Sequence, residues 1–391
     1  MVGGGIVGLG LALEFRRRHP DSAVTLIEKE AACGAHASGR NSGVLHAGFY
    51  YTPDSLKARF TRDGNRALTE YCESRELPLR RCGKLVVARD AADLAGLDEL
   101  TRRARVNGIA LEEVSSDDVR RIEPRAKTYE RALFSPTTAS VAPAAVLASL
   151  VADARDLGIT VVTGTAYRGR SGGSVRTSAG PISAGYVINA AGLYADRIAR
   201  EHGFAERYRI VPFKGAYLYG GDAAPGFRVH IYPVPDLAAP FLGVHVTALV
   251  DGGVKLGPTA TPAFWREHYD GLANFDLREC YEVMMLEAGL FARNHFGFRD
   301  LALRELSRGR KRIVELAGAL ATGLEHDHYR RWGAAGIRAQ LVDLNARKLE
   351  MDFCFEGDDR SFHVLNAVSP AFTCALPMCA YLVDRVEQLL D

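Results

Sequence analysis

Gly3-Gly4-Gly5-Ile6-Val7-Gly8 opens the chain and decides how the rest of it is read. Gly3, Gly5 and Gly8 fit the GxGxxG spacing at the start of a helix, where backbone N–H groups and the positive helix end receive a pyrophosphate. Apolar periodicity carries that helix from Ile6 to Arg18, and residues 23–27 follow as a strand. Glu28 ends the strand 20 residues past Gly8, where a carboxylate accepts both hydroxyls of an adenosine ribose. An acid at that place selects a dinucleotide without a 2′-phosphate. Turn, helix, strand and acid in register specify a dinucleotide site, and these residues alone leave open which dinucleotide it takes. Only Met1 and Val2 precede the turn, whereas the strand feeding such a turn has about five or six residues. The natural protein is therefore expected to begin a few residues upstream.

Further along, helical periodicity marks residues 54–75, with Pro53 just ahead, and residues 90–106, with a short apolar strand over 84–88 between them. A strand over 133–135 and a helix over 143–157 follow, then strands at 160–163 and 186–189 and a helix over 194–202. This alternation predicts an α/β nucleotide-binding domain assembled from separated pieces. From residue 209 to 256 the pattern becomes strand after strand, with Asp251-Gly252 as a hairpin turn between 246–250 and 254–256. Helices are predicted over 277–291 and 301–320, strands over 337–341, 351–355 and 362–365, and an amphipathic helix over 370–390.

Composition narrows the class. With 391 residues, 47% hydrophobic and 25% charged, the chain is an ordinary globular protein of two or three domains. A formal net charge of +2 gives no reason to expect nucleic acid. No segment approaches 18 uninterrupted apolar residues and no signal peptide is evident. The chain therefore reads as cytoplasmic, with any membrane contact peripheral, at the inner face of the cell membrane. The seven cysteines (Cys33, Cys72, Cys82, Cys280, Cys354, Cys374, Cys379) form no CxxC pair and no cluster at metal spacing, so they read as buried, reduced thiols and no metal is expected.

A second stretch is more specific than the first. His36-Ala37-Ser38-Gly39-Arg40-Asn41-Ser42-Gly43-Val44-Leu45-His46-Ala47-Gly48 and the following Tyr50-Tyr51 and Ser55-Leu56-Lys57-Ala58-Arg59 resemble the signature of the L-2-hydroxyglutarate dehydrogenases, FAD enzymes of the D-amino-acid-oxidase superfamily. The resemblance continues through Cys82-Gly83-Lys84-Leu85-Val86-Val87-Ala88, Val211-Pro212-Phe213-Lys214-Gly215, Ile231-Tyr232-Pro233, Pro240-Phe241-Leu242-Gly243-Val244-His245, Gly336-Ile337-Arg338-Ala339-Gln340 and Asn366-Ala367-Val368-Ser369-Pro370, and so covers almost the whole chain. It implies an α/β fold, α+β overall: a Rossmann-like FAD-binding domain from residues 1–80, 143–208 and 330–391, with a discontinuous antiparallel-sheet substrate domain from 81–142 and 209–329. It also implies FAD contacts at Gly3, Gly5 and Gly8, at Glu28, at Ser38 and Arg40, Asn41, Ser42 and Gly43, at Tyr167 beside adenine, and at Ala191 and Gly192 by the diphosphate. Ser369 and Pro370 open the last helix, whose free N–H groups and dipole can stabilise negative charge on reduced flavin.

Oxidising a 2-hydroxy acid to a 2-keto acid removes a hydride from C2, which flavin N5 can take, and a proton from the hydroxyl. That proton needs a positioned base with a pKa near the working pH, for which histidine is suited. His46 is the first candidate, because its segment resembles the one that passes beside the flavin ring, and His245 is the second. The substrate implied, L-2-hydroxyglutarate, carries two carboxylates and would yield 2-oxoglutarate. Arg338 is the best carboxylate clamp, since its planar fork binds both oxygens, and Tyr51, Tyr232 and Lys214 are further donors. Several positions depart from the family pattern: Arg40 stands for a usual histidine, Lys214 for an arginine, Ala216 for an acid and Ala142 for an aspartate or serine. An FAD-dependent oxidase of another small hydroxy or amino acid, and a flavin-binding protein with little catalysis, remain alternatives. The electron acceptor, whether quinone, oxygen or carrier protein, is left open.

Overall fold

The computed structural model describes residues 1–236 and 243–390. The predicted Pro240-Phe241-Leu242 stretch lies outside the described residues. Two layers of sheet frame the molecule. In the first, Thr25–Ile27 pairs in parallel with Thr160–Val162, and Val187–Asn189 pairs in parallel with Ser361–Asn366, which is flanked antiparallel by Cys354–Gly357. Val2 bridges the two halves through parallel bridges to Ile27 and Asn189. Its N–H donates to the Ile188 carbonyl, and its own carbonyl accepts from Ala190 N. On the other side Gly3 N donates to the Ile27 carbonyl and the Met1 carbonyl accepts from Ile27 N, so the ladder bonds of both neighbouring strands are met here. The helices Ile6–Arg18, Pro143–Asp156 and Ala371–Leu390 pack on this layer in one apolar cluster. Close packing is built in at Gly10, where a Cβ would come within 2.8 Å of the Cys379 sulfur.

The second layer is an eight-stranded sheet in the order 331–332, 218–219, 254–257, 245–248, 230–233, 84–87, 131–135, 112–115. Only the Lys84–Val87 and His230–Pro233 pair is parallel. A smaller antiparallel sheet joins the layers. In it Tyr208–Gly215 and Gly336–Asp343 pair over their whole length. We propose the two-part division drawn from the sequence, with Gly336–Asp343 as the strand that ties one part to the other.

The predicted hairpin is present: Leu249 N donates to the Gly253 carbonyl, Asp251 Oδ1 accepts from Gly253 N at 2.9 Å, and Gly252 takes φ +90°. Three expectations are corrected. The single helix predicted over 301–320 is two, Phe298–Leu306 and Arg310–Gly318, because Gly309 between them is extended (φ −78°, ψ 173°) and glycine is a poor helix former. The strand predicted over 351–355 lies at Cys354–Gly357. The Asn366 amide claims the carbonyls of Glu350 and Asp352, and the Asp352 carboxylate caps a helix instead. The polar meander Tyr167–Ser171, Ser174–Thr177 and Gly180–Ser183 had too little apolar alternation to be read as strands. The cysteines are all free, but only Cys72, Cys374 and Cys379 are fully buried.

Candidate functional site

A cavity of about 1920 Å³ runs from the glycine turn to the eight-stranded sheet. At one end the Ile6–Arg18 helix begins, and its first N–H, at Ile6, donates to Ser38 Oγ at 3.0 Å. Gly3, at φ +107°, would place a Cβ 2.6 Å from the Ala190 carbonyl oxygen. A Cβ on Gly8 would come within 1.9 Å of the Gly3 carbonyl oxygen. Both positions exclude side chains: Gly3 leaves bare backbone facing the cavity, and Gly8 lets the first helical turn close against it from behind. Glu28 is buried, its two carboxylate oxygens accepting from Gly4 N at 2.7 Å and Glu30 N at 2.9 Å. The Ala191 N–H is held by Asn189 Oδ1 at 3.1 Å, which fixes the second turn, and Gly192 there takes φ +52°.

The Ser38–Gly43 loop is locked by its own side chains. Asn41 donates to the Ser38 carbonyl and accepts from Gly43 N, while Ser42 Oγ accepts from Val44 N. Arg40 is a clamp between loops: it donates to the Ala35 carbonyl at 2.7 Å and its guanidinium lies 4.2 Å from the Tyr269 ring centroid. At Ala142, the helix Pro143–Asp156 begins without a side-chain cap. The aspartate or serine expected there would have contributed about 1 kcal/mol.

The far end is ionisable and largely buried. His46 N donates to Thr373 Oγ1 at 3.2 Å, which ties the histidine to the first turn of the closing helix. Its Nδ1 has no hydrogen-bond partner among the described residues. Burial, then the charges of Lys84 and His230, hold His46 well below the usual histidine range. His245 is lowered as well, by burial and then by His230, His46, Lys84 and Lys255. Its Nδ1 lies 3.0 Å from Thr247 Oγ1, and its ring stacks on Tyr232 at 3.8 Å and 11°. Arg338 is lowered to about 10 by burial, with Tyr51 acting in the opposite direction. Its Nε donates to Gln340 Oε1 at 3.0 Å.

Of the residues predicted from sequence, Gly3, Gly5, Glu28, Ser38, Arg40, Asn41, Ser42, His46, Tyr51, Tyr167, Ala191, Gly192, Tyr232, His245, Arg338, Ser369 and Pro370 line this one cavity. Gly8 and Gly43 support it from behind: a Cβ on Gly43 would lie 2.7 Å from the Val141 carbonyl oxygen. Lys214 is the exception. Phe213 pairs opposite Arg338 and Lys214 opposite Ile337, and successive residues of a strand point to opposite faces, so Lys214 points away from the face that carries Arg338.

Lys57, in the Ser55-Leu56-Lys57 stretch, is a cavity residue that no sequence signal marks as a candidate. It lines the cavity at the start of the Leu56–Ser74 helix, where Ser55 Oγ caps Ala58 N and the Asp352 carboxylate accepts from Leu56 N and Lys57 N at 2.8 and 3.0 Å. Burial, followed by Arg338, brings Lys57 down to about 7, against the pull of Asp352. Glu30, His36 and Glu267 also converge at metal-ligand spacing, which no sequence motif announced. Lys29 Nζ sits against both carboxylates there, 2.6 Å from Glu267, and supplies the positive charge that a cation would.

The sequence profile of the family described as FAD dependent oxidoreductase matches residues 1–385. The chain belongs to that family. This FAD dependent oxidoreductase is 34% identical over 400 residues to the L-2-hydroxyglutarate dehydrogenase of Escherichia coli K12, covering 100% of this chain and 93% of that protein. It is 33% identical over 425 residues to the mitochondrial L-2-hydroxyglutarate dehydrogenase of Homo sapiens, covering 100% and 89%. Among solved structures, the FAD-bound L-alpha-glycerophosphate oxidase of Mycoplasma pneumoniae has the same fold (TM-score 0.76, 20% identity, 100% of this chain and 93% of that chain). Glycine oxidase from Geobacillus kaustophilus shares it too (TM-score 0.73, 20% identity, 99% and 93%). Rossmann-like FAD binding and an antiparallel sheet over the cavity are thus the architecture of this oxidoreductase. Its bare glycine turns, buried Glu28 and a cavity larger than the roughly 300–1,000 Å³ of ordinary ligand pockets fit the cofactor.

Proposed function

We propose that this oxidoreductase oxidises L-2-hydroxyglutarate to 2-oxoglutarate. The observation that carries the reading is the joining, in one cavity, of the half-buried Arg338 guanidinium and the buried Lys57 amine with a buried neutral histidine, His46, in a chain 34% identical over its full length to a dehydrogenase of that name. FAD, when bound, supplies the hydride acceptor and passes the electrons on.

In this reading the chain's own residues do the rest. Arg338 remains cationic at neutral pH and binds one carboxylate through two parallel N–H···O contacts. Lys57, Tyr51 and Tyr232 add donors for the other. His46 is unprotonated near pH 7, so it can accept the hydroxyl proton at the moment the C2 hydride leaves. His245 has its Nδ1 engaged with Thr247 and its ring pinned by Tyr232, so we assign it to shaping the wall. Gly3, Gly5, Glu28, Ala191 and Gly192 bind the dinucleotide, supported by Gly8. Ser38 and Arg40 to Gly43 border the flavin, Tyr167 borders adenine, and the first helical turn that follows Ser369-Pro370 lines the cavity.

The test is reduction of the bound flavin, without oxygen, by a panel of 2-hydroxy acids and amino acids. L-2-hydroxyglutarate is expected to act best, and a stronger response to an amino acid or to a monocarboxylate would replace this reading with that of a different small-acid oxidase.

Among the described residues no helix is long and apolar enough to cross a membrane. The helices Leu277–Arg293 and Phe298–Leu306 expose Leu277, Tyr281, Met284, Met285, Leu303 and Leu306, and the exposed Arg310, Lys311 and Arg312 follow. Apolar residues near a basic run support peripheral contact with an anionic leaflet. They favour a cytoplasmic protein that hands electrons to a membrane quinone. Co-sedimentation with anionic vesicles, and not with zwitterionic ones, is the expected result. Binding to neither removes the membrane contact.

A further inference from the structure

Residues 263–276, between the strand Thr261–Pro262 and the helix Leu277–Arg293, belong by sequence to the substrate part, yet their polar side chains bond to the nucleotide part. Arg266 is 4% exposed and Asp196 0%. The guanidinium holds that carboxylate with both ends, at 2.7 and 3.0 Å, and also donates to the Leu193 carbonyl. Glu267, itself buried, accepts from the Tyr194 hydroxyl at 2.8 Å and meets Lys29 Nζ at 2.6 Å. The Tyr269 hydroxyl lies 2.6 Å from His36 Nδ1, and its ring faces the Arg40 guanidinium.

The segment is stiffened from inside. Asn274 donates to the second Glu267 oxygen at 3.0 Å, while the Trp265 indole donates to the Ala273 carbonyl at 3.2 Å and stacks on His268. Asp276 caps the helix that follows by accepting from Glu279 N, and Glu279 accepts in turn from Arg266 N. The partners in the nucleotide part are not scattered. Lys29 follows Glu28, Leu193 and Tyr194 follow Ala191-Gly192, and His36 and Arg40 flank Ser38. Each bond thus fastens a stretch beside one that the reading above gives to the cofactor, and Arg266, Glu267 and Asn274 line the same cavity. Apolar contact would join the two parts without the cost of burying charges; directional bonds to three separate stretches instead fix where those stretches stand.

We propose that residues 263–276 are a clasp for FAD: they hold the ribose, diphosphate and flavin-side stretches at the spacing of the bound dinucleotide, and FAD enters or leaves only when the clasp lets go. The proposal rests on the placing of FAD along Glu28, Ala191-Gly192 and residues 38–43. Arg266 with Asp196 is the fixed end, where loss of either partner strands a buried charge. Glu267 and Tyr269 are the releasable end, because their partners Lys29 and His36 are only half-buried and water can take over their bonds.

The test is the rate at which the holoenzyme exchanges its FAD for isotopically labelled FAD. Glu267→Gln is expected to speed exchange about tenfold and Tyr269→Phe about fivefold, for the loss of one charge-assisted and one neutral bond. Should Glu267→Gln fail to fold, Tyr269→Phe carries the test, since it keeps the ring against Arg40. Val314→Ala, in the apolar cluster of the eight-stranded sheet, is the control: it lowers the melting temperature and is expected to leave exchange as it was. Glu28→Ala probes the place of the cofactor and is expected to weaken FAD binding. Unchanged exchange in the clasp variants, or an equal acceleration in the control, overturns the clasp. If Glu28→Ala weakens FAD while the clasp variants do nothing, the placing of the cofactor stands and only the clasp falls; if Glu28→Ala leaves FAD binding unchanged, the placing fails and takes the clasp with it.

Discussion

Replacing Arg338 with Ala is expected to raise the dissociation constant for L-2-hydroxyglutarate about a hundredfold, close to 3 kcal/mol, with a smaller effect on flavin reduction at saturation. The guanidinium is the one cation on its strand that faces the cavity, and its half-buried position limits the competition of water for its contacts with a carboxylate. A charge-assisted contact of this kind is roughly twice as strong as a neutral one. Arg338→Lys restores charge without the planar fork, so it is expected to recover only part of the affinity. Rapid-mixing measurement of flavin reduction against substrate concentration separates affinity from rate. A fall in the saturating rate with unchanged affinity would remove Arg338 from the role of clamp.

His46→Gln is expected to do the reverse. It keeps size and polarity but removes the proton acceptor, so the saturating rate of flavin reduction should fall by roughly 10² or more. Substrate affinity should change little. The same substitution at His245 is expected to cost less, since Thr247 and Tyr232 already hold that ring. A loss of less than about threefold at His46, with a large loss at His245, would exchange the two assignments.

The pattern of success in reading the sequence follows from the distance over which each feature is determined. Gly3, Gly5, Gly8 and Glu28 were legible because a turn, a helix start and a strand end are set by residues within one βαβ unit. The hairpin at Asp251-Gly252 was legible for the same reason. Lys214 was misjudged because its direction depends on register: Phe213, one residue earlier, is the one opposite Arg338, and a shift of one position reverses every side chain. The burial of Lys57 is not legible locally, since it depends on Asp352 and Phe353, both distant in sequence. The break at Gly309 was readable in principle, but strong apolar periodicity on both sides concealed it. The departure from the family pattern at Arg40 has a structural counterpart that depends on residues distant in sequence, its contact with Tyr269 beside its hydrogen bond to the Ala35 carbonyl.

A carboxylate held at Arg338 and a hydroxyl held at His46 fix two points of the molecule, so only one enantiomer can turn its C2 hydrogen toward the cofactor side of the cavity. The most direct measurement is anaerobic bleaching of the bound flavin on mixing with L- or D-2-hydroxyglutarate, with 2-oxoglutarate assayed in the same samples. Rapid bleaching by the L-enantiomer with one 2-oxoglutarate formed per flavin, and none by the D-enantiomer, is the predicted result; equal bleaching by both, or by neither in a protein that holds FAD, would contradict it.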